Sequence, residues 1–382
     1  MIPFFSRRNQ VYPVFWEGRI AVEKHFRDMK DWARERDLYE TIQLPHPELL
    51  EVRNGVLVTE YCRYPTLLDE LETQEHDGFR AAPWETLAMW MEECATRHEK
   101  LPAEGNLRNF LWDAQRNIVL GLDFESFCTI SPSDSAAALI AALLEYTPPD
   151  TSVKQQAAEL LSSQLKVRED KITQARIALH QRRQAHHVQP MSGIILAGGR
   201  SSRMGTDKAE LMLKGKSLLA WQVQKLRALG VRDVLISGDY CLPDTKTVPD
   251  ELPGRGPLAG IYFCLRAAAN DRCLVLSVDT PLVPPSALYH LSQAHKGGVT
   301  VLRHGDFQEP LLGVYDRKTA GAAYDLLAAG NAPVRALESR VNWATFDYAG
   351  PEEFLMNCNT PQDFDQVHTV LTSYQAKGIE VL

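Results

Sequence analysis

Several things are scarce in this chain, and each scarcity removes a class of protein. Its 382 residues hold seven cysteines with no C-x-x-C pair, and an odd, scattered count argues against a disulfide framework or a cysteine-built zinc site. Long apolar runs are missing too: the longest aliphatic stretch, Ala136 to Leu144, is far short of the ~20 residues that span a bilayer. The stretch Met1 to Arg8 is too short and too quickly charged to read as a secretory signal. Positive charge is in deficit, and a net charge of −8 speaks against a general nucleic-acid or anionic-membrane surface, though not against a local basic pocket. No internal repeat, low-complexity tract, Walker loop or G-x-G-x-x-G occurs. A soluble cytoplasmic protein with reduced thiols is expected, with neither nucleic acid nor membrane as partner.

Hydrophobic content of 45% and charged content of 24% are those of a globular protein, and the length predicts two or three domains. Residues 1–150 form a first domain. In 151–190, Val153 to Val167 and Lys171 to Ala185 carry apolar residues at helical spacing, and His186 to Pro190 follow as a linker. The basic residues from Arg176 to Arg183 read as a solvated helix face. From 191 to 382 strands alternate with helices: strand 193–197, helix 217–229, strand 233–237, helix 258–269, strand 273–278, helix 284–295, strand 299–303. That alternation predicts a parallel, doubly wound α/β sheet with ligands at the carboxyl ends of its strands.

The most informative segment is Ile194 to Lys208. An apolar run stops at Gly198 and Gly199, a hydroxyl-rich loop carries Arg203, and Lys208 leads into the next element. Glycines let backbone N–H groups approach an anion closely, and Arg203 and Lys208 add fixed positive charge for a polyphosphate. Asp279 follows the apolar 273–277 strand in Val278-Asp279-Thr280-Pro281. A carboxylate at a strand end suits Mg²⁺, although a turn or helix-cap aspartate is the competing role. Asp250 precedes Gly256-Pro257-Leu258-Ala259-Gly260, a tight turn opening a helix. It could accept from a guanine edge or be a surface acid. Phe307 to Tyr315 puts a polar triplet before a buried strand, and Asn357-Cys358-Asn359-Thr360-Pro361 sets two amides before a helix.

The pattern L-A-G-G-x-S-x-R-M-G-x-D-K, then G-P-L-A-G, D-T-P and N-x-N-T-P in that order, resembles the molybdenum cofactor guanylyltransferase family. The resemblance covers nearly all of 191–370. It implies a Rossmann-like nucleotidyltransferase fold and transfer of GMP from GTP to molybdopterin with release of pyrophosphate. It also implies Mg²⁺ as cofactor and molybdoenzyme maturation proteins as partners. On that resemblance Leu196, Ala197, Gly198, Gly199 and Lys208 contact the nucleotide, Asp250 the base, and Asp279 both nucleotide and metal. Lys208, Arg203 and Asp279 are then catalytic, while Asn357 and Asn359 bind the second substrate. Ser237, also in the implied nucleotide site, stands where the family often has asparagine. It could still hydrogen-bond a base or ribose, but guanine selectivity is less secure. Because a cytidylyltransferase acting on the same pterin would look similar, GTP and CTP both stay open.

In 1–150, a hairpin ends in Lys24, a charged helix carries Glu35, Gly55 to Tyr61 make a strand, and Glu104 to Asp113 precede Ile118 to Glu125. This order resembles kinase-like small-molecule phosphotransferases such as the lipopolysaccharide kinases, which form an α+β fold. The resemblance pairs Lys24 with Glu35 and gives Mg²⁺ to Asn109 and Asp123. No glycine-rich loop precedes Lys24, and Glu104 stands in place of the catalytic aspartate, so a degenerate module is expected. The competing readings of the whole chain are a bifunctional sugar kinase and sugar-1-phosphate nucleotidyltransferase, and a non-catalytic regulatory protein.

Overall fold

A computed structural model describes residues 8–145, 151–185, 190–197, 207–252, 254–330 and 332–376. Contacts divide the chain into two units, Phe15–His187 and Met1–Val14 with Val188–Leu382. Strand β1 (Gln10–Trp16) straddles that division.

In the first unit β2 (Arg19–His25), β4 (Val56–Glu60) and β3 (Leu49–Arg53) pair antiparallel, and α1 (Met29–Thr41) is inserted between β2 and β3. Asp28 caps α1 by accepting the Lys30 N–H at 2.8 Å. The rest is largely helical. Helices α2 (Leu67–Asp77) and α3 (Ala82–Arg97) come first, and short strands β5 (Leu101–Pro102), β6 (Phe110–Asp113), β7 (Ile118–Gly121) and β8 (Phe127–Cys128) follow. Then come α4 (Pro132–Leu144), α5 (Ser152–Gln164) and α6 (Glu169–Ala185). Both α5 and α6 pack on α4, so the segment from 151 onward extends the core of Trp84, Leu87, Ile140 and Leu161. Gly105 permits a very close approach: a Cβ there would lie 2.1 Å from the Ala138 carbonyl oxygen.

The second unit holds a seven-stranded sheet in the order β13-β12-β9-β14-β16-β15-β17. Its members are β9 (Met191–Leu196), β12 (Asp233–Ser237), β13 (Lys246–Val248), β14 (Arg272–Ser277), β15 (Val299–His304), β16 (Phe307–Asp316) and β17 (Trp343–Asp347). A small hairpin of β10 (Met212–Leu213) and β11 (Lys216–Ser217) precedes α7 (Leu218–Ala228). The other helices are α8 (Pro257–Ala267), α9 (Pro285–Ala294), α10 (Ala320–Ala329) and α11 (Pro361–Ala376).

All six residues of β9 are buried, as a central strand covered on both faces requires. Ile194 and Leu196 join one core with Leu258, Ile261 and Leu265 of α8, while Gly193 points the other way. A Cβ at Gly193 would meet Leu226 Cδ1 of α7 at 2.5 Å, so the missing side chain is what seats α7 on the strand. Helices α8 and α10 pack together, as do α7 and α9.

The expectation of a wholly parallel sheet is corrected at one strand. β16 runs antiparallel between β14 and β15, because Gly305 (φ +55°) turns the chain straight back from β15. A second correction concerns the first residues, which do not all pack with the first domain. Gln10 Nε2 donates to the Asp347 carbonyl at 3.0 Å, Ala349 N donates to Gln10 Oε1 at 3.2 Å, and the Tyr12 and Tyr348 rings meet edge-on at 5.2 Å. These polar and aromatic partners lie more than 330 residues downstream.

Candidate functional site

Pairing register lines up the strand ends of the second unit. Ser277 of β14 pairs with Leu196 of β9, Leu196 with Ser237 of β12, and Ser237 with Val248 of β13. The loops carrying Ala197, Asp250 and Asp279 therefore leave from one rim. The Val278 N–H donates to the Leu196 carbonyl at 3.2 Å, which draws the Asp279 loop beside the end of β9. Gly198, Gly199 and Arg203 lie outside the described residues.

Lys208, Asp279 and Asn359 are brought together. Lys208 Nζ donates to Asn359 Oδ1 at 2.6 Å and lies 3.9 Å from Asp279 Oδ2. Each has a local device behind it. Asp207 caps the short 3-10 helix Lys208–Glu210 by accepting the Ala209 N–H at 2.9 Å, and the Tyr240 hydroxyl donates to its other carboxylate oxygen. Asp363 accepts the Asn359 and Thr360 N–H groups at 2.9 and 2.8 Å and donates its own N–H to Thr360 Oγ1 at 3.2 Å. That reciprocal cap opens α11, with Pro361 at its first position. The Asn359 N–H is the foremost reason that the Asp363 carboxyl sits below its usual range. Cys358 N donates to the Asp279 carbonyl at 2.7 Å, tying the asparagine segment to the aspartate loop. Burial and the nearby Asp279 push the Cys358 thiol up to about 12, so it is a packing group at neutral pH.

The two oxygens of Asp279 differ. Oδ2 faces Lys208, whereas Oδ1 is buried with no hydrogen-bond partner among the described residues. A buried, unpartnered carboxylate oxygen is costly unless something binds it, and this one fits a divalent cation. Among the described residues no group of three or more His, Cys, Asp or Glu gathers as a metal site. One carboxylate completed by substrate phosphates is the usual arrangement for Mg²⁺.

The remaining expected residues are placed differently. Ser237 is 5% exposed and abuts α8: a Cβ added to Gly260 would stand 2.5 Å from its Oγ. Its hydroxyl thus serves strand–helix packing. Asp250 is exposed, with one oxygen accepting the Leu252 N–H at 3.0 Å in a local turn. Asn357 is half-buried and makes no side-chain hydrogen bond among the described residues. Three more polar residues belong to this region: Glu309, from the polar triplet singled out in the sequence, and Gln222 and Lys225, which carried no site role there. Glu309 on β16 has its carboxyl raised by burial and by the charge of Asp279. Gln222 and Lys225 of α7 are buried polar groups behind the Asp279 loop. A burial pattern that only the fold defines was needed to find them.

The first unit has its own cluster. Lys24 of β2 donates to Glu35 Oε2 of α1 at 2.7 Å and to Asp123 Oδ1, with Lys24 and Glu35 buried. Asp123 takes a left-handed conformation (φ 56°, ψ 66°) directly after β7. Asn109 is near in backbone: its carbonyl accepts the Leu122 N–H at 2.7 Å, and its Oδ1 accepts from Asn106 Nδ2 at 3.2 Å. Glu104 sits at the start of that loop, its carbonyl accepting the Asn106 N–H at 3.0 Å.

Residues 193–342 match the model of the MobA-like NTP transferase domain. A protein of Carboxydothermus hydrogenoformans named probable molybdenum cofactor guanylyltransferase is 31% identical over 189 residues, covering 47% of this chain and 96% of the relative. The chain belongs to the molybdenum cofactor guanylyltransferase family. A second member of that family, from Opitutus terrae, is 36% identical over 199 residues, with 47% of this chain and 96% of the relative covered. Among solved structures, molybdopterin-guanine dinucleotide biosynthesis protein A from Archaeoglobus fulgidus is 25% identical with a TM-score of 0.41, over 48% of this chain and 100% of that one. The family's nucleotidyltransferase domain is the second unit, where Lys208, Asp279 and Asn359 converge. Among the described residues no helix is long and apolar enough to cross a membrane.

Proposed function

We propose that the second unit transfers GMP from GTP to molybdopterin. The observation that carries this is the Asp279 carboxylate, whose one oxygen faces Lys208 and whose other is buried at the strand-end rim with no hydrogen-bond partner among the described residues. The terminal phosphate of molybdopterin attacks the α-phosphorus of GTP. A new oxygen–phosphorus bond forms, the bond to the bridging oxygen of the β-phosphate breaks, and pyrophosphate leaves. The nucleophile is already an anion, so positioning and charge neutralisation supply the catalysis. Lys208 releases Asn359 to hold the departing phosphates, with Arg203 assigned to the same task from its place in the motif. Asn359, freed from Lys208, and Asn357 are left to bind the pterin substrate, while Leu196 and Ala197 present backbone to the nucleotide. Asp279 would hold Mg²⁺, which supplies charge neutralisation at the phosphates when bound.

A thermal shift of the full chain with each nucleoside triphosphate and Mg²⁺ tests this reading. Stabilisation by GTP alone supports it. CTP would make the enzyme a cytidylyltransferase, UTP or dTTP would move it to sugar activation, and no shift with any of them refutes nucleotide binding.

For the first unit, we propose a kinase-like module with weak or no phosphotransfer. The Lys24–Glu35 ion pair beside Asp123 supports this reading, since kinases need such a pair next to a metal-binding aspartate. Glutamate at position 104 is the reason to expect low turnover. ATP hydrolysis and ATP binding by the full chain, compared with Asp123→Ala, decide it; identical traces would remove the module.

A further inference from the structure

The loop that carries Asp279 is held from behind by two buried polar side chains. Gln222 and Lys225 lie three residues apart on α7, on the same face as Leu218, Leu219 and Leu226. An apolar residue would suit that buried face better. Instead Gln222 Nε2 donates to the Ser277 carbonyl at 2.8 Å and to the Thr280 carbonyl at 3.1 Å, and Lys225 Nζ donates to the Pro281 carbonyl. The Asp279 carbonyl between them is taken by Cys358 N. Four carbonyls of the 277–281 loop are thus engaged, three of them by side chains of one rigid helix.

We infer that Gln222 and Lys225 are positioning residues of the transferase site, which fix the 277–281 loop and thereby aim the Asp279 carboxylate at its cation. Neither touches the reacting atoms. Their task is that of the groups behind a metal ligand, whose loss commonly costs about 10–100-fold in metal affinity or activity. The alternative is that they only satisfy buried carbonyls, in which case their removal lowers stability and nothing else. Gln222→Leu removes both donors at similar volume. Lys225→Met removes the amine while filling its space, and serves where the first variant folds poorly.

This inference rests on Asp279 as the metal ligand, so Asp279→Asn is run beside both variants in the full chain. Four quantities are read: melting temperature, kcat and KM for GTP, and Mn²⁺ binding with GTP present, followed by the free-Mn²⁺ paramagnetic resonance signal. The expected result is Mn²⁺ affinity and kcat lowered about tenfold or more, with KM for GTP changed less than about threefold. A lowered melting temperature with kcat and Mn²⁺ affinity at wild-type values overturns the positioning role. So does a raised KM with unchanged kcat. If Asp279→Asn keeps Mn²⁺ binding, the metal-ligand reading itself fails and the inference falls with it. If Asp279→Asn loses the metal while the α7 variants keep it, only the positioning role fails.

Discussion

Replacing Lys225 by methionine should change how stability responds to pH, and the size of the change follows from where the amine sits. Lys225 is 4% exposed, and burial lowers its ammonium from an ordinary 10.5 to about 7. In the unfolded chain the same lysine keeps its proton to about 10.4. Between those values the unfolded state holds a proton that the folded state lacks, so folding becomes more favourable as pH rises. The slope is at most about 1.4 kcal/mol per pH unit. From pH 7.5 to 9.5 this one group contributes on the order of 2 kcal/mol, or very roughly 4–8 °C in melting temperature for a unit of this size. Below pH 7 both states are protonated, and the full cost of burying the charge is present. Methionine titrates nowhere, so the difference between wild type and Lys225→Met isolates the amine from every group the two share. Parallel melting-temperature profiles from pH 6.5 to 9.5, measured on the full chain, would refute the reasoning and show that the amine keeps its proton in the fold.

Three other outcomes are expected. Lys208→Ala should reduce pyrophosphate release by about 10²-fold or more while the chain still folds, because Nζ lies against the site residues Asn359 and Asp279. Activity near wild type would remove the phosphate-clamp role. Gly105→Ala should destabilise the first unit by several kcal/mol, since its Cβ would overlap backbone atoms of Ala138 and Leu139. Proteolysis of that unit at low protease would report it, and wild-type resistance would count against the packing. In native chain a thiol reagent should label Cys128 and Cys241 quickly, as these are the exposed cysteines. Cys94, Cys264, Cys273 and Cys358 are buried with thiols pushed up to about 12, and should react only on unfolding.

Much of the second unit is legible in its residues. Apolar runs alternating with helical periods place β9, α7, β12, α8, β14 and α9 within a residue or two of their ends, since strand and helix periods are local properties. Lys208, Asp279 and Asn359 each stand at a strand or helix end, as their motifs place them, and the fold brings the three side chains together. The pairing of Lys24 with Glu35 is read from order alone, and the two meet in the structure.

Other features depend on what packs against what. Ser237 reads as a hydroxyl available to a ligand, yet α8 comes close enough at Gly260 to bury it. Gln222 and Lys225 are polar residues on one side of α7, and residue type alone favours their exposure. They are buried because the 277–281 loop, more than fifty residues on, lies over that side and offers its carbonyls. Gln10 and Tyr12 likewise meet Asp347 and Tyr348 across most of the chain. Sequence by itself determined the local conformations, the family and the positions of the charged groups at strand and helix ends, because spacing and residue type suffice for these. Tertiary structure alone decided which polar side chains are dry, which oxygen of Asp279 faces Lys208, and which of its loop's carbonyls are engaged. Those are properties of surfaces brought together over long separations, and no local pattern records them.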